Sequence, residues 1–555
     1  MKKGIDFLFL WVCVMMLFSC GISKSLHQLP SLLGYNATVP TVKKHSATLF
    51  TTGNNFLIQN KQNLWELYVV GDPLERGLVM GSLSDSLLKK QERIFFSKID
   101  NLVPSHFKQH LLRQFLKWYN RKLYLHVTNE YQTEIYGISQ YTSHDFDHIA
   151  PGYLRTLYLH GAHDIGHALQ DVALVGCSSF AVWGEKSEDG SLILGRNFDF
   201  YVGDDFAQDK LVAFVRPTQG YPFMMVTWAG MIGAVSGMNN EGLTVTINAG
   251  KSDIPLIAKT PVSILTREIL QYAKNIEEAV AIAKKRQVFV SESIMVGSAQ
   301  DKKAILIEVA PHNFGIVDVP NSNQLICTNH FQSAALKRGN PNQNQIANSH
   351  SQYRYERLAE LLDDNLKINP QKAAAILRNK EGLNNLPLGF GNEKALNQLL
   401  AHHAIIFKPE QRLAWVSSNP YQLGEFVCYD LNKIFKNNSF KDSVVSLQQQ
   451  NLNIAKDPFM ETIAYRDYEN FKIEDRKMDF FLKNKAGLTA AFAKNYQSLN
   501  PDYWLVYYKV GVYYEQQAAY PLAQQNFETA LTKEITTLPQ RQVVQRKLKK
   551  IKRKL

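Results

Sequence analysis

At Cys177 the chain changes texture, and that change limits its fold more than any other feature. Upstream, Leu64 to Val70 reads as a strand. Gly71-Asp72-Pro73-Leu74-Glu75-Arg76-Gly77 then leads into a helical stretch reaching Ile99, followed by helical patterns at Leu111 to Tyr124 and Tyr153 to Ala173. Downstream come short β-rich runs: Cys177 to Trp183, Leu192 to Phe198, Leu211 to Val215, Phe223 to Trp228 and Leu243 to Ile247. Glu188-Asp189-Gly190-Ser191 and Asn239-Asn240-Glu241-Gly242 supply hairpin turns between them. A helical segment, Pro261 to Lys285, precedes a second β group at Ser293 to Val296, Ala304 to Val309, Phe314 to Val317 and Gln324 to Thr328. Helices are expected again at Tyr353 to Asp364, Pro370 to Asn379 and Glu393 to Ala401, with late strands at Ala414 to Ser417 and Glu425 to Tyr429. Blocks of strands and helices without a βαβ rhythm imply an α+β fold, antiparallel sheets covered by helices.

Composition supports a large packed core. The chain has 555 residues, 45% hydrophobic and 20% charged, which excludes a disordered chain, a collagen, a coiled coil or a small disulfide scaffold. One large domain with appendages is expected. The net charge of +12 is local: Arg541 to Leu555 carries eight Lys or Arg and no acid, leaving +4 on the rest of the chain. The body therefore lacks the overall basic character of a nucleic-acid binder. In that tail, Val544, Leu548, Ile551 and Leu555 share one helix face. A docked terminal helix is favoured over a membrane-surface contact.

Residues 1–20 read as an export signal. Lys2 and Lys3 precede the apolar run Phe7 to Phe18, which ends in Leu17-Phe18-Ser19-Cys20-Gly21. This resembles a bacterial lipoprotein signal, which implies lipidation of Cys20, a membrane partner through that lipid anchor, and a place in the bacterial cell envelope, periplasmic or at the cell surface. Residues 21–60 are polar and read as a tether. Removing Cys13 and pairing Cys20 with lipid leaves Cys177, Cys327 and Cys428, an odd number that requires at least one free thiol. The chain has no Cys-x-x-Cys, His-Glu-x-x-His, Walker loop, Gly-x-Gly-x-x-Gly or Gly-x-Ser-x-Gly. Zinc protease, P-loop enzyme, simple Rossmann enzyme and serine esterase lose support, and neither metal nor cofactor is expected.

Residues 436–495 read as a linker and 496–555 as a helical hairpin with the basic tail. Tyr507, Gly511, Tyr514, Tyr520, Ala523, Phe527 and Ala530 reproduce the small and aromatic positions of one tetratricopeptide repeat. One repeat cannot bury its own faces, so it packs on the main domain, on the tail helix or on a protein partner.

The chemistry concentrates in Val175-Gly176-Cys177-Ser178-Ser179-Phe180 and Gly195-Arg196-Asn197-Phe198-Asp199. A thiol attacks as thiolate, so something nearby must take its proton. If the Gly176–Cys177 bond is cut, the freed α-amine of Cys177, which ordinarily titrates at about 7.7–8.0, is a base built into the nucleophile. The pattern resembles the autoproteolytic penicillin acyltransferase-like (isopenicillin N acyltransferase-like) family of cysteine N-terminal nucleophile (Ntn) hydrolases. Choloylglycine hydrolases and acid ceramidase are its more distant relatives. The resemblance runs from Gly71-Asp72-Pro73 through Gly237 to Gly242, Asn248, Thr328-Asn329-His330-Phe331 and Ser351 to Leu358, and fades beyond about residue 435.

It implies a four-layer αββα sandwich over residues 177–435, preceded by a helical segment, 61–176, that becomes a separate chain on self-cleavage. Asp199 then orients the amine, and Arg196 favours the thiolate and contacts substrate. Asn248 donates to the oxyanion, and Asn329 stands beside the amine and the tetrahedral intermediate. Arg354 and Arg357 compete for the family's later, substrate-binding arginine. Arg196 and Asp199 lie three apart, so the strand carrying them must end or bulge between them. His160, His163 and His167 cluster before the cut. In a helix the outer two stand ~10 Å apart along the axis, too far to share one ion, so polar packing or lining of the cleft is expected. The functional expectation is a self-processing amidohydrolase or acyltransferase acting on a small-molecule N-acyl amide. Its alternatives are a bile-salt or ceramide-type amidase of the same superfamily and a catalytically silent lipoprotein scaffold.

Overall fold

A computed structural model describes residues 22, 24–161, 176–200, 203–252, 257–364, 367–436 and 444–555. The signal with Cys20, and His163 and His167, lie outside the described residues.

Two sheets form the centre. The larger has eleven strands in spatial order β1 (Lys43–Lys44), β2 (Leu49–Thr52), β3 (Asn55–Gln59), β4 (Trp65–Gly71), β7 (Leu211–Pro217), β8 (Phe223–Thr227), β9 (Ser236–Asn239), β10 (Leu243–Ala249), β11 (Glu292–Ser298), β12 (Lys303–Val309) and β13 (Phe314–Val317). The smaller has six, in order β14 (Gln324–Cys327), β5 (Ser178–Val182), β6 (Ile193–Phe198), β15 (His403–Lys408), β16 (Leu413–Ser417) and β17 (Phe426–Asp430). Within these sheets the β4–β7 pair is parallel and the other pairs antiparallel.

Strand alternation builds the layers. Phe56, Tyr68, Val212, Phe214, Met224 and Leu306 of the large sheet meet Ala181, Leu194, Ile405, Phe407, Val416 and Tyr429 of the small one in a core between the sheets. Their neighbours Leu67, Ala213, Met225, Val245 and Ile307 point the other way, onto helices of the N-terminal half and onto helices Val262–Tyr272 and Ile276–Lys285. On the far side of the small sheet, Phe180, Val182, Ile193, Ile406 and Trp415 pack under helices Ser351–Asp364 and Pro370–Leu377. Helix, sheet, sheet, helix is the expected αββα order.

The N-terminal helices are tied to this sandwich through Gly71-Asp72-Pro73. Asp72 caps helix Pro73–Leu83 by accepting the Glu75 N–H at 2.9 Å, and Pro73 sits at its first turn. Gly77 touches helix Asn129–Ser139 so closely that a Cβ there would lie 2.1 Å from the Glu134 carbonyl oxygen.

Three expectations need correction. The stretch read as a tether, 21–60, contains β1 to β3, which extend the large sheet. Phe50 pairs with Leu57, and Gly53 takes φ 56° in the turn between their strands. Glu393 to Ala401 is not a helix. The Asn392 and Asn397 side chains accept the N–H groups of Lys394 and Leu399, at 3.1 and 3.0 Å, and Leu399 adopts φ 55°. Such local side-chain bonds compete with helical ones. The linker read at 436–495 holds a 22-residue helix, Ile463–Asn484, whose Tyr468, Phe471 and Met478 are buried in a C-terminal core.

That core also takes up helices Trp504–Gln516, Tyr520–Thr532 and Leu538–Lys552, with Val544 and Ile551 of the basic tail fully buried. Glu515 pairs with Lys547 and Lys550 at 2.6 and 2.9 Å, so the tail docks on the hairpin. The hairpin docks on the sandwich as well: Asn500 exchanges hydrogen bonds with the Phe390 backbone, and a Cβ on Gly389 would lie 2.3 Å from Tyr503 Cα. Among the described residues no helix is long and apolar enough to cross a membrane.

Candidate active site

Alternation on β6 sends its side chains to two destinations. Ile193 and Asn197 face the helix layer, whereas Leu194 and Arg196 face the large sheet. Arg196 therefore crosses the inter-sheet space. Its Nη1 donates to the Val235 carbonyl at 3.2 Å and to Ser236 Oγ at 2.6 Å, its Nη2 bonds the Ile247 carbonyl, and that same nitrogen lies 3.7 Å from Cys177 Sγ. The guanidinium also stacks on Phe198, with 4.2 Å between its carbon and the ring centroid. The strand ends at Phe198, between the two residues as their spacing requires, and Asp199 beyond it is fully buried.

Cys177 stands just before β5 and is buried. Arg354, projecting from helix Ser351–Asp364, donates from Nη1 to the Cys177 carbonyl at 2.6 Å and to Ser178 Oγ at 2.7 Å, and from Nη2 to Asn329 Oδ1 at 2.7 Å. Arg357, one turn on, bonds Glu360, Asn379 and Asn385 instead. Of the two arginines the sequence left open, the fold brings Arg354 to the thiol-bearing residue and directs Arg357 elsewhere. Ser351 Oγ accepts the Asn329 N–H at 2.8 Å and lies 2.9 Å from His330 Nδ1, which explains why Thr328 to Phe331 and Ser351 to Leu358 read as one pattern.

Asn248 reaches across from β10. Its Oδ1 accepts from Ser179 Oγ at 2.7 Å and its Nδ2 donates to the Cys327 carbonyl at 3.2 Å, one of the two N–H bonds an amide offers. Asn329 Nδ2 donates to the Ala249 carbonyl at 3.0 Å. Cys327 is a buried packing residue on β14.

Burial governs the electrostatics. It pushes the Cys177 thiol up to about 11 against the pull of Arg196, so the thiol of the uncut chain is neutral at pH 7. It pushes the Asp199 carboxyl up to about 7, against Arg354 and Arg196, and both carboxylate oxygens lack a hydrogen-bond partner among the described residues. A raised acid beside a buried thiol and two buried arginines is the kind of perturbed cluster that performs proton transfer.

The sequence reading missed three participants. Ser236 accepts from Arg196 and lies 2.9 Å from His403 Nε2, whose Nδ1 lies 2.9 Å from His402 Nδ1, so a buried histidine pair backs the arginine. Gln398 donates from Nε2 to the Gly176 carbonyl at 2.8 Å. The adjacent histidines were a visible signal, hidden by the helix expected up to Ala401. His160 is a packing residue: its Nδ1 lies 2.8 Å from the Thr156 carbonyl, its Nε2 accepts the Ile232 N–H at 2.9 Å, and burial lowers it to about 4. No group of His, Cys, Asp or Glu suited to a metal occurs among the described residues. Beside Phe198, which stacks on Phe200, lies a small apolar cleft of about 40 Å³ lined by Leu88, Phe95, Phe200, Phe206, Trp228 and Met231.

Residues 184–419 match the model of the acyl-coenzyme A:6-aminopenicillanic acid acyl-transferase family. The match bears out the family resemblance of the sequence over the sandwich, and it opens shortly after Cys177. An uncharacterized protein of Archaeoglobus fulgidus is 23% identical over 275 residues, which are 45% of this chain and 44% of that protein, so this chain spans under half of that relative's length. Among solved structures, the Caenorhabditis elegans ortholog of N-acylethanolamine-hydrolyzing acid amidase is similar at 19% identity and TM-score 0.32, covering 42% of this chain and 93% of its own. A variant of conjugated bile acid hydrolase from Clostridium perfringens is similar at 16% identity and TM-score 0.32, covering 46% and 93%.

Proposed function

We propose that this chain is a self-processing cysteine amidohydrolase or acyltransferase that takes the acyl group of an N-acyl amide onto Cys177. The observation that carries the reading is the convergence on Cys177 from three elements: Arg196 at its sulfur, Arg354 at its carbonyl, and Asp199 with an unpartnered buried carboxylate.

In the uncut chain the thiol has no amine to take its proton. Scission between Gly176 and Cys177 creates one, and Asp199, close enough to raise the thiol's pKa, then has a cation to hold. The freed amine takes the thiol proton, and Arg196, already at 3.7 Å, favours the thiolate. The thiolate attacks the amide carbon of the substrate, with the second N–H of Asn248 as the oxyanion donor. The amine leaves with the proton and the acyl group remains as a thioester on Cys177. Water then gives hydrolysis and a bound amine gives transfer. Hydrolysis is the preferred outcome, because an exported enzyme does not meet abundant acyl-CoA. Lipidation at Cys20 would hold the enzyme at the envelope membrane.

N-terminal sequencing of purified protein tests the processing: a second chain beginning Cys-Ser-Ser-Phe is expected, and Cys177→Ala remains one chain without amine release. An intact wild-type chain that turns over fully refutes the built-in amine. Product analysis with rising concentrations of a competing amine tests the outcome. Dominant acyl transfer with negligible hydrolysis removes the hydrolase assignment and leaves the nucleophile standing.

A further inference from the structure

We propose that Gln398 is the oxyanion donor for scission of the Gly176–Cys177 bond, an inference that deepens the self-processing reading and rests on it. Gln398 is buried, and its Nε2 donates to the one carbonyl that scission must attack, at 2.8 Å. A neutral amide fixed on that oxygen before reaction costs no reorganisation when charge develops there.

The surrounding chain is built to aim this side chain. Asn197, the residue between Arg196 and Phe198 in the site motif, donates to the Leu396 carbonyl at 2.8 Å and to the Leu377 carbonyl at 2.9 Å, pinning the segment just before Gln398. Asn397 N–H bonds the Asn379 carbonyl at 2.8 Å, and the Asn397 side chain turns the backbone into Leu399. Leu399 takes φ 55°, a conformation that costs a non-glycine residue energy and persists where the surroundings impose it. Its side chain is buried in the C-terminal helical core, so docking of those helices stabilises the turn. Gly176 completes the arrangement. A Cβ there would lie 2.1 Å from Gln398 Nε2, so any larger residue would displace the amide from the carbonyl it bonds.

Asp199 takes the proton from Cys177 Sγ, and the sulfur bonds the Gly176 carbonyl carbon, placing the negative charge on the oxygen held by Gln398. Collapse breaks the C–N bond, and the departing nitrogen takes the proton from Asp199, leaving Gly176 as a thioester on Cys177. Water hydrolyses that thioester to the Gly176 carboxylate and a free thiol.

The test follows the appearance of the chain beginning at Cys177 after synthesis of full-length protein. Gln398→Met keeps the volume and removes the donor; scission should slow by ~100-fold to ~1000-fold. Gln398→Glu should cut poorly at pH 8 and recover relative to wild type as pH falls, because the introduced carboxyl donates when protonated; a purely structural role gives no such recovery. Scission of Gln398→Met within threefold of wild type, or no relative recovery of Gln398→Glu in acid, overturns the inference. A wild-type chain that never cuts takes down the self-processing reading itself, a distinct result.

Discussion

Two of the clusters that bury arginines near carboxylates among the described residues are organised in opposite ways. In the first, Glu134 lies between Arg76 and Arg267 where the N-terminal helices meet helix Val262–Tyr272. Arg76 Nη2 is 2.6 Å and Arg267 Nη2 3.3 Å from Glu134 Oε2, and Arg267 Nη1 is 3.3 Å from Oε1. Both oxygens are bonded, and the two arginines hold the carboxyl below its ordinary range despite burial. In the second, Asp199 has Arg196 and Arg354 nearby, but those arginines spend their hydrogen bonds on Ser236, Val235, Cys177, Ser178 and Asn329. Its oxygens are left without partners and its carboxyl rises to about 7. Charge satisfied by geometry serves as structure; charge held nearby but unsatisfied is free to move a proton.

The contrast breaks most visibly at Glu134. Glu134→Ala leaves the buried Arg267 without a carboxylate and Arg76 with only the longer pairing to Glu130 at 3.4 Å, and should cost about 3–5 kcal/mol of stability, measured by denaturant unfolding, with turnover per folded molecule retained. A loss below 1 kcal/mol would erase the distinction between the clusters. Next in size, Asn248→Ala should lose about 2.7–4 kcal/mol of transition-state stabilisation, read in kcat with little change in KM. Asp199→Asn should slow scission or turnover by ~100-fold without loss of thermal stability, since the charge it removes is unfavourable in the fold.

The pH dependence sharpens the same comparison. The native pKa of Asp199 lies above the unfolded value of about 3.9, so the folded chain binds the extra proton between about pH 4 and about 7. Its contribution to stability is complete below that window and is lost as pH rises through it, at up to about 1.4 kcal/mol per pH unit. Glu134 has the opposite sign: its contribution is present above the unfolded glutamate pKa and is lost as pH falls through its depressed native one. Unfolding of uncut Cys177→Ala across pH should show both slopes, with Asp199→Asn flattening the upper one. The smallest effect on turnover belongs to Arg357→Ala. Its buried guanidinium bonds Asn379 and Asn385 and pairs with the partly exposed Glu360 and Glu381, so about 1–3 kcal/mol of stability should be lost, with catalysis untouched; a lost rate would return Arg357 to the site.

Much of the sandwich was legible because alternation is local: Leu192 to Phe198 or Leu243 to Ile247 reads as a strand from its own residues. The Glu393 to Ala401 helix failed because Asn392 and Asn397 cap short turns, and the 21–60 tether failed because β2 and β3 are only four and five residues long, too short for alternation to stand out although Phe56 and Leu57 are buried. At the site, Cys177, Arg196 and Asp199 were readable from one short motif and its spacing. Gln398 and Ser236 were not, since an isolated glutamine or serine has no pattern until the fold gives it a partner; the adjacent His402 and His403 were visible, but only the fold sets Ser236 beside them.

The sequence alone determined most strands between Cys177 and Tyr429, the hairpin-turn glycines, the candidate nucleophile with its Arg-x-x-Asp companion, and the need for the strand to end between Arg196 and Asp199. Those follow from spacing along the backbone, where a period of two fixes which side chains share a face. Only the tertiary structure decided between Arg354 and Arg357. One helical turn separates them, and which of the two meets Cys177 depends on how that helix lies on the small sheet. The same holds for Gln398, which reaches the Gly176 carbonyl from 222 residues away along the chain, a contact set by packing, with no local periodicity behind it.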